Sequence, residues 1–232
     1  MLSRFATLGG GITDPYWSSV SFLLVGNGGN GTNTNIKDSS SNNLTITNTG
    51  STVISTAINP PTVTNAGSGT VRFNGTTNYL TVPSPILDLG ASSFTIELWW
   101  NSTLKVDYQS ILIGTSNLGA WLHATSSGSL LYGINNSTYT TSGDVCNGVW
   151  HHIAFVRNGG SACKLYVDGA SAGTATDGTN ITGTSTATIG TYQGGRLCNA
   201  YIYDLRITKG VARYTANYTP PPFPPTAAFP IG

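Results

Sequence analysis

Glu97 is the single glutamate of the chain, and Phe94-Thr-Ile-Glu-Leu-Trp-Trp100 holds no second carboxylate beside it. Glycoside hydrolysis needs two carboxyl groups about 5–9.5 Å apart across the scissile bond. One acid alone cannot perform it. His151 and His152 are neighbours in Val149-Trp-His-His-Ile-Ala-Phe-Val156. Adjacent side chains on a strand point to opposite faces, so the two cannot chelate one ion together; their expected role is packing and hydrogen bonding. No Ser/His/Asp set is suggested by spacing, and Asn27-Gly-Gly-Asn-Gly31 is a turn without the helix a phosphate cradle requires. Cys146, Cys163 and Cys198 are an odd number without C-x-x-C spacing, so they encode neither a disulfide framework nor a zinc site. Arg206, Lys209 and Arg213 form a short basic run, read as a solvated loop or a subunit contact. The chain offers no catalytic residue and is expected not to be an enzyme.

The aromatic residues suggest binding instead. A sugar presents a flat apolar face rimmed by hydroxyls, and Tyr or Trp supplies an apolar ring and a polar tip in one side chain. Trp121, Tyr132, Tyr139 and Tyr192 fall in or beside loops and hairpin ends, with core or rim packing as the alternative for each. Trp99 shares a strand face with Glu97 and Thr95 and becomes a further candidate if that face is open.

The elements that would position these rings are strands. Helical periodicity is absent, and short β-branched and aromatic runs punctuated by Gly, Asn and Ser recur instead. Phe94, Ile96, Leu98 and Trp100 alternate with Thr95, Glu97 and Trp99. Residues 149–156 are apolar on both faces, as in a central strand; Arg157-Asn-Gly-Gly-Ser161 turns the chain, and Lys164-Leu-Tyr-Val167 returns. Asp168-Gly169 is a two-residue hairpin signal, because both central positions need φ > 0. Further strands are expected at Val20–Val25, Leu44–Thr47, Val71–Phe73, Tyr79–Val82, Ile111–Ile113, Ala120–His123, Ser129–Gly133, Ala187–Ile189 and Leu197–Ile207. The expected fold is all-β: a two-sheet antiparallel sandwich.

The chain has 232 residues, 8% of them charged, and a net charge of +1. An average protein carries about 25% charged residues. A neutral surface of hydroxyls and amides argues against nucleic acid or an anionic membrane as partner and suits docking into an assembly or against sugars. No stretch approaches the roughly 18 apolar residues of a membrane span, and the first residues lack the apolar core of a secretory signal. Three parts are expected: an arm at 1–13, the sandwich at 14–218, and a Pro-rich tail at 219–232. Proline lacks the N–H that ladders need, so the tail should be extended. Leu2, Phe5 and Leu8 of the arm, with Phe223 and Phe229 of the tail, are the candidate assembly contacts, including those of a homo-oligomer. The rival for the tail is a fold-back over its own sandwich.

Trp150-His-His-Ile-Ala-Phe-Val-Arg157 followed by Leu165-Tyr-Val-Asp-Gly169 resembles the core hairpin of the laminin-G-like, concanavalin-A-like sandwich family. The resemblance extends through Phe73-Asn-Gly-Thr-Thr-Asn-Tyr-Leu80, Phe94–Trp99 and Ile202–Ile207, and covers nearly everything from Asp14 onward. Asp204-Leu-Arg-Ile-Thr-Lys-Gly-Val-Ala-Arg-Tyr-Thr-Ala-Asn-Tyr-Thr-Pro-Pro221, with the opening Asp14-Pro-Tyr-Trp-Ser-Ser-Val-Ser-Phe-Leu-Leu24 and Asp38 shortly after it, is similar to the form found in tailed-bacteriophage structural proteins. That implies a jelly-roll fold and a virion protein: capsid decoration, head fibre or tail component. Its partners would be other virion proteins. The alternative is a lectin-like protein that recognises a host glycan. The E-x-D-x-x-E pattern of the family's glucanases is absent. Acids common in the family's calcium-binding members appear here as Asn27, Asn74 and Tyr203. Calcium needs carboxylate oxygens, so no cofactor is expected, and Asp38 and Asp204 are the remaining weak candidates for a metal.

Overall fold

A computed structural model of the protein describes residues 14–27, 35–58, 68–83, 86–114, 119–182 and 186–221. A 3-10 turn at Trp17–Ser19 is followed by β1 (Val20–Leu24), β2 (Gly26–Asn27), β3 (Thr47–Thr49), β4 (Val53–Ser55), β5 (Ser68–Asn74) and β6 (Tyr79–Val82). Next come β7 (Phe94–Ser102), β8 (Gln109–Gly114), β9 (Ala120–Ala124), β10 (Leu130–Ile134), β11 (Tyr139–Thr140) and β12 (His151–Asn158). The chain continues through β13 (Ala162–Val167), β14 (Ala170–Thr176), β15 (Ala187–Ile189) and β16 (Asn199–Lys209). The larger sheet runs β14-β13-β12-β7-β16-β5-β2, with β1 also on β16 and β4 on β5; the smaller runs β11-β10-β9-β8-β15-β6-β3. Every pairing within the two sheets is antiparallel. The expected sandwich is the fold.

Alternation assigns the faces. Phe94, Ile96, Leu98 and Trp100 of β7 enter the core between the sheets, with Phe22, Phe73, Phe155 and Leu122. Phe94 meets Phe155 edge-on at 5.3 Å. The turn after β13 has φ of 52° at Asp168 and 80° at Gly169, as the Asp-Gly signal requires. A Cβ on Gly169 would also overlap the Tyr218 carbonyl. Two expectations shift. Leu44–Thr47 is a strand only from Thr47, because the Asp38 carboxylate accepts the Leu44 N–H and holds residues 38–44 in a turn. β14 is a strand that periodicity does not announce: Ala-Ser-Ala-Gly-Thr-Ala-Thr has no large apolar residue, and the hairpin before it dictates its pairing with β13.

The Arg of the hairpin motif has a structural task. Arg157 is fully buried and donates to the carbonyls of Ser92, Thr179 and Gly90, clamping two loops to the end of β12. Replacing it by Met leaves those carbonyls without a donor. The expected cost is about 3 kcal/mol, since an unsatisfied buried polar group costs roughly 1–3 kcal/mol. Urea denaturation reads it as a lowered midpoint, and an unchanged midpoint would show that the clamp holds nothing.

Candidate functional site

The outer face of the larger sheet carries Thr95, Glu97 and Trp99 of β7, His152, Ala154 and Val156 of β12, and Arg206 of β16 in register. This face is closed. Residues 211–221 run back across it, and Ala212, Tyr214 and Tyr218 pack on Ala154, Val156 and Tyr166. Tyr214 and Tyr218 stack at 3.6 Å between centroids. The Tyr218 hydroxyl meets His152 Nδ1 at 2.9 Å, and the Tyr214 hydroxyl donates to Glu97 at 2.6 Å. Up to Pro221, then, the chain folds back over its own sandwich. Leu2, Phe5, Leu8, Phe223 and Phe229, the expected assembly contacts, lie outside the described residues.

The basic run is a correction. Arg206 and Arg213 are neither solvated nor at a free surface; they sit inside an ion network under that strap. Arg206 bonds Asp14 at 2.9 Å and takes both oxygens of Asp204. Arg213 grips both oxygens of Asp14 and lies 3.2 Å from Glu97. Only Lys209 is half-exposed, beside Asp88. Burial pushes the Glu97 carboxyl up, but the His152 hydrogen bond and the Arg206 and Arg213 charges outweigh it and hold it at about 2. Glu97 is a buried counterion, 2% exposed, and no substrate reaches it. Trp99 lies on this same closed face, half-buried and edge-on to His152.

Asp204 and Asp38 are occupied by protein donors. β16 bulges between Tyr203 and Arg206, with φ of 48° at Asp204. The extra residue lets Leu205 enter the core while the Asp204 carboxylate turns to Arg206. Asp38 accepts from the N–H groups of Leu23, Ser40 and Leu44 and from the Ser40 hydroxyl. Neither fits a calcium ion, and the described residues hold no group of three His, Cys, Asp or Glu that would.

Two of the expected ligand residues come together on the smaller sheet. Trp121 and His123 point outward from β9, because Ala120, Leu122 and Ala124 point into the core. Trp121 is 8% exposed, its Nε1–H donates to the Asn135 carbonyl, and its ring lies 5.2 Å from His123. Tyr108 meets His123 edge-on at 6.0 Å. The Arg196 guanidinium stands over Tyr108 at 4.2 Å and over Tyr192 at 5.2 Å. The result is a continuous row from Trp121 to Tyr192 with exposed Tyr108 and Arg196 at its outer surface. The loop that carries Tyr192 and Arg196 is tied down. Tyr192 and Gly195 exchange backbone hydrogen bonds, and the Arg196 carbonyl accepts from Ser110.

Ser110 and His123 form a hydroxyl–imidazole pair at 2.9 Å, yet this is not a nucleophile. Ser110 is fully buried. Burial first, and the Arg196 charge second, push His123 down to about 4. His151 binds Asp168 through one nitrogen and Asn147 through the other.

Tyr132 corrects the expectation for that residue. It is 0% exposed, packed at 5.1 Å on Phe155 in the core, because the inward positions of β10 include it. Tyr139 leans on Tyr132 at 5.5 Å and is half-buried, away from the row. Tyr108 and Arg196 were not among the sequence candidates. Val-Asp-Tyr-Gln and Gly-Gly-Arg-Leu read as ordinary strand entries and turns, and no spacing rule links them.

A profile of the concanavalin A-like lectin/glucanases superfamily, laminin G type, matches residues 74–213. No match is found among curated proteins. Among solved structures, the binding domain of Paraclostridial Mosquitocidal Protein 1 superposes with a TM-score of 0.66 at 18% identity, over 84% of this chain and 49% of that one. The binding domain of botulinum neurotoxin DC, solved with rat synaptotagmin II, gives 0.63 at 16% identity over 84% and 49%. A botulinum neurotoxin type C structure, whose cell entry is described as dependent on two ganglioside molecules, gives 0.64 at 16% over the same shares. The chain spans about half the length of these binding domains, and at such identities the likeness is one of fold.

Proposed function

We propose that this chain, which belongs to the concanavalin A-like lectin/glucanases superfamily, is a non-enzymatic, lectin-like module that holds sugars on the solvent-facing end of the row, at Tyr108, Arg196 and Tyr192, with buried Trp121 and His123 as its support. The observation that carries this reading is the stack of exposed Tyr108 and Arg196 with half-buried Tyr192, the last two held on a tied loop. Aromatic faces and a planar cation are the groups that grip pyranose rings with little entropy lost on binding. The fold's other large face is unavailable, since residues 211–221 cover it and lock its glutamate in an ion network. The mechanism is adhesion without turnover. A structural neighbour described as ganglioside-dependent supports the ligand class.

The setting we propose is a bacteriophage virion, as a capsid decoration, head fibre or tail component, with the arm and the Pro-rich tail as attachments to virion proteins or to further copies of the chain. The support is the likeness of Asp14–Leu24 and Asp204–Pro221 to phage structural proteins. The residues behind that likeness include Asp14, Arg206, Arg213, Tyr214 and Tyr218, the members of the closing network.

The test is saturation-transfer NMR of the full chain against neutral and acidic oligosaccharides. Transfer should occur, and Tyr108→Ala should reduce it about tenfold, the scale of a lost stacking contact near 1–1.5 kcal/mol. No transfer at millimolar sugar ends the adhesion reading. Labelled-antibody electron microscopy of purified virions tests the setting, and unlabelled particles would end that part alone.

A further inference from the structure

Arginine placement across the molecule is unequal. Arg157 is spent on carbonyls, Arg72 on Asn199 and the Ala200 carbonyl, and Arg206 and Arg213 on carboxylates. Among the described residues, Arg196 is the arginine whose guanidinium takes neither a carboxylate nor a carbonyl. It is exposed, and its two contacts are ring faces at 4.2 and 5.2 Å. Aromatic faces hold the guanidinium plane without using its N–H edge, which stays free to donate in a fork that matches a carboxylate. The neighbouring acid, Asp107, is turned to the Ser126 hydroxyl.

Backbone strain falls in the same place. Eight described non-glycine residues have positive φ, and four are Asn or Asp, which tolerate it. Of the other four (Ser51, Tyr108, Gln193 and Arg196), three belong to this patch, at φ of 63°, 51° and 49°. Such conformations persist where the surrounding structure over-determines them, and they gather at ligand-binding sites. Here the restraint is visible in the Tyr192–Gly195 bonds, the Thr191 hydroxyl bond to the Gly195 carbonyl, and the Ser110 bond to Arg196. The imidazole beneath, His123, is neutral near pH 7, so Arg196 is the cation an incoming anion meets.

We propose that Tyr108, Tyr192 and Arg196 form a subsite for a saccharide bearing a carboxylate, its ring on Tyr108 and its carboxylate on the Arg196 guanidinium edge. This rests on the sugar-binding reading above and narrows it to acidic sugars. The patch places side by side the parts such a ligand needs: an apolar ring and a charged fork over it.

The probes are 3′-sialyllactose against lactose, and glucuronic acid against glucose, titrated into the full chain by calorimetry and NMR. The acidic member of each pair should bind about tenfold tighter, as a charge-assisted hydrogen bond predicts. That margin should shrink at about 1 M salt, where screening reaches contact range. R196Q should bring both members to equal affinity, and R196K, which keeps charge but not the fork, should restore part of the margin. Circular dichroism of each variant separates this from misfolding. Binding of neutral and acidic sugars alike, or a margin that survives R196Q, overturns the acidic subsite and leaves the adhesion reading standing. Failure of every sugar to bind overturns both.

Discussion

A chain ending at Gly210 is expected to lose most of the stability of the sandwich. Its loss removes Arg213 from Asp14 and Glu97, the Tyr214 hydroxyl from Glu97 and the Tyr218 hydroxyl from His152. It also bares Ala154, Val156 and Tyr166. Burying each tyrosine is worth about 1.5–3 kcal/mol, and breaking a buried ion pair costs at most about 3–5 kcal/mol, since Asp14 keeps Arg206 and Glu97 keeps His152. Together these come to roughly 6–11 kcal/mol as an upper range, against a total stability of about 5–15 kcal/mol. Point variants grade the effect: Arg213→Met should be severe, and Tyr218→Phe, which keeps the ring and loses one hydrogen bond, mild. Thermal melting of the truncated chain within a few degrees of the full one would mean that the strap closes nothing.

The second large effect is acid sensitivity. The folded chain holds His123 down at about 4, from an ordinary 6.5. Below pH 6.5 the unfolded chain takes a proton that the folded one refuses, so stability is lost as pH falls from 6.5 to 4. Glu97, held at about 2 rather than 4.5, stabilises fully above pH 4.5 and loses that contribution as pH falls towards 2. Each shift is worth about 3 kcal/mol at 1.36 kcal/mol per unit. Asp204, which burial raises first of all causes, has the opposite sign and offsets part of the loss. Urea unfolding at pH 7, 5 and 3 should show a stepwise fall, and His123→Gln should flatten the step between 7 and 4 while leaving the lower one. An equal slope in that variant would remove His123 from the account.

Local rules carried much of the fold. Alternation in residues 94–100 assigned β7's core face, and Asp168-Gly169 specified its hairpin, because side-chain direction and turn dihedrals depend on a few neighbouring residues. What covers each face is a different kind of fact. Glu97 is sealed by Tyr214, 117 residues away, and Asp14 is gripped by Arg213 across 199 residues; period-2 alternation says that a face exists but not whether water or a strap lies on it. The same limit hid the burial of a basic run read as solvated and of Tyr132, which lies in the core. It also hid the row on the smaller sheet, whose members come from the entry of β8, from β9 and from the loop before β16. Each residue there is ordinary in its own segment, and the row forms only because antiparallel packing of the smaller sheet sets those three segments side by side.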